Sequence, residues 1–207
     1  MSTNNFLTDD SFFTYVSIPG QSGLVTLLDW FTHNSTAKFR LIQDEEADTD
    51  FLNLKDRLEL YPGIKTFAIV TNPWARAKVS YDNLLFCKEN KLKNKFLDYF
   101  NITSFESFVL DWPDVDYKES WFKLTTPQRD WIKYYDDNHN LVQTDFVLRA
   151  DRLEEDFLPI KQFFQQEAVA FDYVEEYPNY RHLYNNQMKY KIGDIFMQDI
   201  MDFNFDF

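Results

Sequence analysis

Lys65-Thr66-Phe67-Ala68-Ile69-Val70-Thr71-Asn72-Pro73-Trp74-Ala75-Arg76 reads as a short apolar strand that runs directly into the start of a helix. Asn72 is the expected N-cap, because its side-chain oxygen can accept from an N–H of the first turn. Pro73 suits the first helical position, where its missing N–H would have no intrahelical partner anyway. The spacing predicts a helix from there to about Phe86. Two further stretches repeat this grammar. Phe12 to Ile18 is a β-branched and aromatic run ended by Pro19-Gly20, and Leu24, Leu27, Leu28 and Phe31 follow at helical spacing. Thr144 to Arg149 predicts a third strand, leading into Asp151-Arg152-Leu153-Glu154-Glu155-Asp156-Phe157. There Asp151 is the expected cap, with Glu154 at capping-box distance. Strands that alternate with helices imply parallel pairing in an α/β sheet covered on both faces, with ligands expected at the carboxyl ends of the strands.

The 207 residues are expected to form one domain, 1–207, because a hydrophobic fraction of 44% with 22 Phe, 12 Tyr and 5 Trp can bury enough surface to offset the ordering entropy. No repeat or proline-rich linker divides the chain. The formal net charge of −13 argues against nucleic acid and anionic membrane surfaces as partners, since both are bound through clustered Lys and Arg. The acidic stretch Gln43 to Asp48 reads as a solvated connection. Only 4 glycines are present, where ordinary usage gives roughly 14, and there is no G-x-G-x-x-G. Cys87 is the sole cysteine, expected buried and inert, and His33, His139 and His182 are scattered, so no metal is expected. Met1-Ser2-Thr3-Asn4-Asn5-Phe6 lacks a basic n-region and an apolar h-region, and no apolar run approaches the ~20 residues of a bilayer crossing. A cytoplasmic location is expected. Residues from Tyr180 to Phe207 read as helical and then as the alternating Phe203-x-Phe205-x-Phe207, an aromatic end expected to be docked.

Four segments, taken in order, carry a family resemblance: Phe13-Thr14-Tyr15-Val16-Ser17-Ile18-Pro19-Gly20-Gln21-Ser22-Gly23-Leu24; Phe67 to Arg76, continuing to Ser80-Tyr81; Asp145 to Phe157; and Tyr180-Arg181-His182-Leu183-Tyr184 with the closing Asp199 to Phe207. Over about Phe12 to Phe207 the chain resembles the sulfotransferase superfamily, in particular its compact carbohydrate-type and bacterial or phage-type members. The resemblance implies an α/β, three-layer P-loop-like fold with a central, mostly parallel sheet flanked by helices. It also implies PAPS as sulfuryl donor and a hydroxyl of a glycan or other small molecule as acceptor. By the same resemblance, Gly20, Gln21, Ser22 and Gly23 would cradle the 5′-phosphosulfate, and Arg76 and Ser80 would lie near the 3′-phosphate. His33, just beyond the first helix, would be the base that activates the acceptor. An exposed His at a helix end is the alternative reading.

The chain departs from the family pattern at three donor positions. Where the family carries a Lys after the first strand, this sequence has Gly20; where it carries an Arg before the Asn/Asp-Pro and a Ser eight residues on, this sequence has Thr71 and Val79. Ser80 is adjacent to Val79 but turned about 100° around a helix. Positive charge placed where negative charge develops is usually the largest catalytic term, so impaired transfer is the expectation. Beside it stands a second: a catalytically inactive sulfotransferase-fold protein acting as a binding or structural subunit, with a protein partner in a phage or other macromolecular assembly, and located in the virion if phage-encoded. Several residues have two readings. Arg76 is a phosphate contact or a helix-surface Arg paired with a carboxylate. Arg149 faces a ligand or pairs with Asp151 or Glu155. Trp74 and Trp30 stack on a ring or belong to the core.

Overall fold

Lys65–Val70 is a strand over its full length in the computed structural model of the chain, with Lys65 exposed and every residue from Thr66 to Val70 buried. The structure describes residues 5–8, 13–16, 18, 39–42, 53–86, 102–111, 126–163 and 179–207. In chain order the elements are β1 (Asn5–Thr8), β2 (Phe13–Tyr15), β3 (Phe39–Ile42), α1 (Leu54–Leu60), β4 (Lys65–Val70), α2 (Pro73–Phe86) and α3 (Phe105–Leu110). After these come α4 (Arg129–Ile132), β5 (Lys133–Tyr135), β6 (Leu141–Gln143), β7 (Phe146–Arg149), α5 (Leu153–Asp156), α6 (Leu158–Phe163), α7 (Asn186–Ile195) and α8 (Met197–Phe203). Short 3-10 turns cover Ala150–Arg152 and Tyr180–Leu183. Two compact units result: Met1–Val70 with Gln128–Glu176, and Thr71–Pro127 with Tyr177–Phe207. No helix among the described residues is long and apolar enough to cross a membrane. The expected helix around Leu24 to Phe31, the acidic stretch Gln43 to Asp48 and Cys87 lie outside the described residues.

Among the described residues the first unit is built on a three-stranded parallel sheet, β2-β4-β7, with β4 in the middle. A central parallel strand is covered on both faces, which is why β4 is a continuous apolar run and not an alternating one. Tyr15 lies opposite Phe67, and the Val16 N–H donates to the Phe67 carbonyl at 2.8 Å. On the other side Phe67 lies opposite Phe146 and Val70 opposite Arg149. Asp145 fixes this register at its start. Its carboxylate accepts from the Thr66 N–H and Oγ1, both at 2.9 Å, and from Lys65 Nζ at 2.7 Å, while its own N–H donates to Thr66 Oγ1 at 3.1 Å. Partial burial pushes the Asp145 carboxyl up, but the bonds from Lys65 and Thr66 outweigh it and hold its pKa below the ordinary value.

The helix after β7 does not start as the sequence suggested. Asp151 lies in a 3-10 turn, the residue before α5 is Arg152, and no side chain caps the helix. The Asp151 carboxylate instead accepts the Arg149 fork, from Nε at 3.0 Å and Nη2 at 2.6 Å. A bidentate, charge-assisted pair is stronger than a single neutral cap bond, so the Arg two residues upstream wins the carboxylate. Glu154 reaches toward Lys161 Nζ at 3.7 Å. The strand end is tied down from further along, by Asp156 Oδ2 accepting from the Arg149 N–H at 2.8 Å, and α5 packs on β7.

Two antiparallel pairs make the architecture mixed α/β. β1 pairs with β3, and β5 with β6 in a hairpin that sets Tyr135 opposite Leu141. At the hairpin tip Asp136 Oδ1 accepts from the N–H groups of Asn138 and Asn140, at 2.9 and 2.8 Å, and His139 takes a left-handed φ of 62°. These donors lower the Asp136 pKa, the Asn140 N–H first among them.

Among the described residues the second unit is helical. Its core gathers Trp74, Ala75 and Ala77 of α2, Phe108 and Val109 of α3, and Tyr180, Met188, Ile192 and Phe196. Asn185 joins two helices: its Oδ1 caps α7 at the Met188 N–H, and its Nδ2 donates to Glu106 Oε1 on α3 at 2.6 Å. The closing aromatics are docked, as expected. Asn204, at φ 53°, ends α8 in a left-handed turn, and the Phe205 N–H returns to the Ile200 carbonyl at 3.1 Å. Phe205 is buried, and the Phe207 ring meets Trp74, Tyr184 and Tyr180 edge-on at 5.3, 5.7 and 6.2 Å.

Two stability measurements check this account. Asp145→Ala removes bonds that span the sheet and should lower stability by about 1–2 kcal/mol, whereas Asp151→Ala breaks a local, partly exposed pair and should cost about 0.5 kcal/mol or less. Because the folded pKa of Asp145 is depressed, its contribution is present above the unfolded value near 3.8 and is lost as pH falls through the folded value. Urea melts between pH 2 and 7 that leave the Asp145→Ala difference constant would contradict this. Phe207→Ala should cost about 2 kcal/mol through lost ring contacts, while Tyr190→Ala, at a site 75% exposed, should stay within about 0.5 kcal/mol. Equal effects in thermal melts would refute the docking.

Candidate functional site

The start of α2 is where the sequence concentrates its chemistry. Thr71 and Asn72 are buried, and from Pro73 to Ser80 only Lys78 reaches partial exposure. Asn72 caps the helix as expected, its Oδ1 accepting from the Trp74 N–H at 3.1 Å. Its Nδ2 donates to the Asp206 carbonyl at 2.7 Å, so the closing segment is fastened to the helix start. Trp74 belongs to the core: its Nε1 donates to the Lys189 carbonyl at 3.0 Å, and its own carbonyl accepts from the Tyr184 hydroxyl at 2.7 Å. Burial, with Tyr180 beside it, pushes the Tyr184 phenol far above its ordinary pKa, so that hydroxyl stays a neutral donor.

Arg76 and Ser80, four residues apart, share one face of α2, and both are buried. Arg76 therefore does not sit on the helix surface, as one sequence reading had it. A helix start enclosed on nearly every side has no solvent face to offer a long cation. The guanidinium Nη1 donates to the Thr126 carbonyl at 2.8 Å, and the group stands 5.7 Å from the Phe196 ring centroid. Burial lowers its pKa to about 10, against the opposing charge of Asp199. It remains a cation at neutral pH. Asp199 is itself fully buried on α8.

Of the positions read as donor- or acceptor-binding, Gly20, Gln21, Ser22, Gly23 and His33 lie outside the described residues, as does Trp30. Thr71, just before α2, and Val79, on it, are 2% and 5% exposed, so neither stands on an open surface. Lys78 pairs with Asp82 one turn on and lies over the rings of Tyr81 and Phe105, at 5.8 and 5.9 Å. Arg149 takes the ion-pair reading, with Asp151. Among the described residues no group of three His, Cys, Asp or Glu could hold a metal ion.

Sequence reading missed the surroundings of Arg76: Thr126, Phe196 and Asp199. One signal was available. Asp199 falls in line with Ile192, Ile195, Phe196, Ile200 and Phe203 at helical spacing, and a carboxylate within an apolar stripe is seldom buried without a cation nearby. Comparison with family models, with curated proteins and with solved structures finds no match to this chain.

The arrangement predicts that Arg76 carries stability. Arg76→Ala leaves the buried Asp199 without its cationic neighbour and should cost about 3 kcal/mol or more. Arg76→Lys keeps the charge without the planar fork and should fall in between. A denaturation midpoint unchanged in Arg76→Ala would mean the guanidinium is expendable to the fold and available for a ligand.

Proposed function

We propose that the chain is a sulfotransferase-like protein, with the three-layer P-loop-like architecture of that superfamily, that works as a binding or structural subunit and not as an efficient PAPS-dependent enzyme. The observation that carries this reading is the inward commitment of Arg76, held between the Thr126 carbonyl, the Phe196 ring and the charge of Asp199. Arg76 is the one basic residue that the resemblance leaves at the 3′-phosphate position. A dianion there would need that guanidinium to exchange its partners inside an apolar surround, where an unpaired charge is costly.

Sequence changes support the same reading. Gly20 and Thr71 stand where the family carries Lys and Arg, and Val79 stands where it carries Ser. Charged hydrogen bonds contribute about 1.5–3 kcal/mol where neutral ones contribute about 1, so these changes remove most of the grip on a donor with two phosphate-bearing positions. The parallel order β2-β4-β7 and the Asn72-Pro73 helix start agree with the resemblance, and fold similarity alone does not carry an activity.

The competing reading is sulfuryl transfer from PAPS to a hydroxyl of a glycan or small acceptor, with Gly20 to Gly23 on the phosphosulfate and Arg76 and Ser80 on the 3′-phosphate. Titration calorimetry with adenosine 3′,5′-bisphosphate at low salt separates the two. The expected result is no binding tighter than about 1 mM. A dissociation constant in the micromolar range, lost in Ser80→Ala, would overturn the non-catalytic reading in favour of the enzyme.

A further inference from the structure

We draw no further inference here: the strongest candidate, the exposed apolar face that Tyr190 on α7 and Met197 and Met201 on α8 leave in solvent, carries nothing because nothing in the structure shows what covers it.

Discussion

A strand buried on both faces must pair its backbone on both edges, and this requirement on β4 organises the first unit. Unpaired N–H and C=O groups in an apolar interior cost as much as lost hydrogen bonds, so Phe67 to Val70 need β7 on one side, and Lys65 to Phe67 need β2 on the other. Apolar strands alone do not choose a register, because Ile, Val and Phe side chains pack acceptably after a slip. The polar clasp at the strand start does. Asp145 meets Thr66 through both backbone and hydroxyl, and a shift by one residue would forfeit all of those bonds at once.

Buried charge plays the corresponding part in the second unit. Arg76 and Asp199 are each nearly inaccessible, the charge of Asp199 acts on the guanidinium, and α2 and α8 both pack on α7. Opposite charges buried near one another add little net stability over well-fitted apolar groups, yet leaving either one alone is expensive. That cost restricts which arrangements of these helices are tolerable. The same burial bears on the proposed function, because a guanidinium enclosed with the Thr126 carbonyl and the Phe196 ring is poorly placed to trade partners with a phosphate.

Local signals in the sequence were legible where one interaction dominated. Lys65 to Val70 had only one use for an unbroken apolar run, and Asn72-Pro73 had only one good place, so strand and helix start both follow from short-range chemistry. The reading of Asp151 failed because two short-range partners competed, a helix N–H and the Arg149 fork, and pattern alone does not rank them. The β5–β6 hairpin went unread because its strands are three residues each and its tip uses Asp136, Asn138 and Asn140 in place of the Asn-Gly or Asp-Gly that marks most tight turns. The inward turn of Arg76 was the least accessible. It depends on Thr126, Phe196 and Asp199, residues 50 or more positions away along the chain.

The division into two units also has a temporal side. Each unit takes its residues from two separate stretches, so the chain passes from one to the other after Val70, Pro127 and Glu176. During synthesis the central strand β4 must wait for β7, 79 positions separate Thr66 from its partner Asp145, and the helix α2 emerges in the interval. Pairings so distant along the chain form slowly, because loop closure precedes any gain. An edge of β4 therefore stays open on the ribosome while some 80 residues are added, several seconds at ordinary elongation rates of about 5–20 residues per second. A nascent chain of this design exposes an apolar strand before it can bury it, which makes the interval, more than the finished protein, the point at which a chaperone would have something to hold.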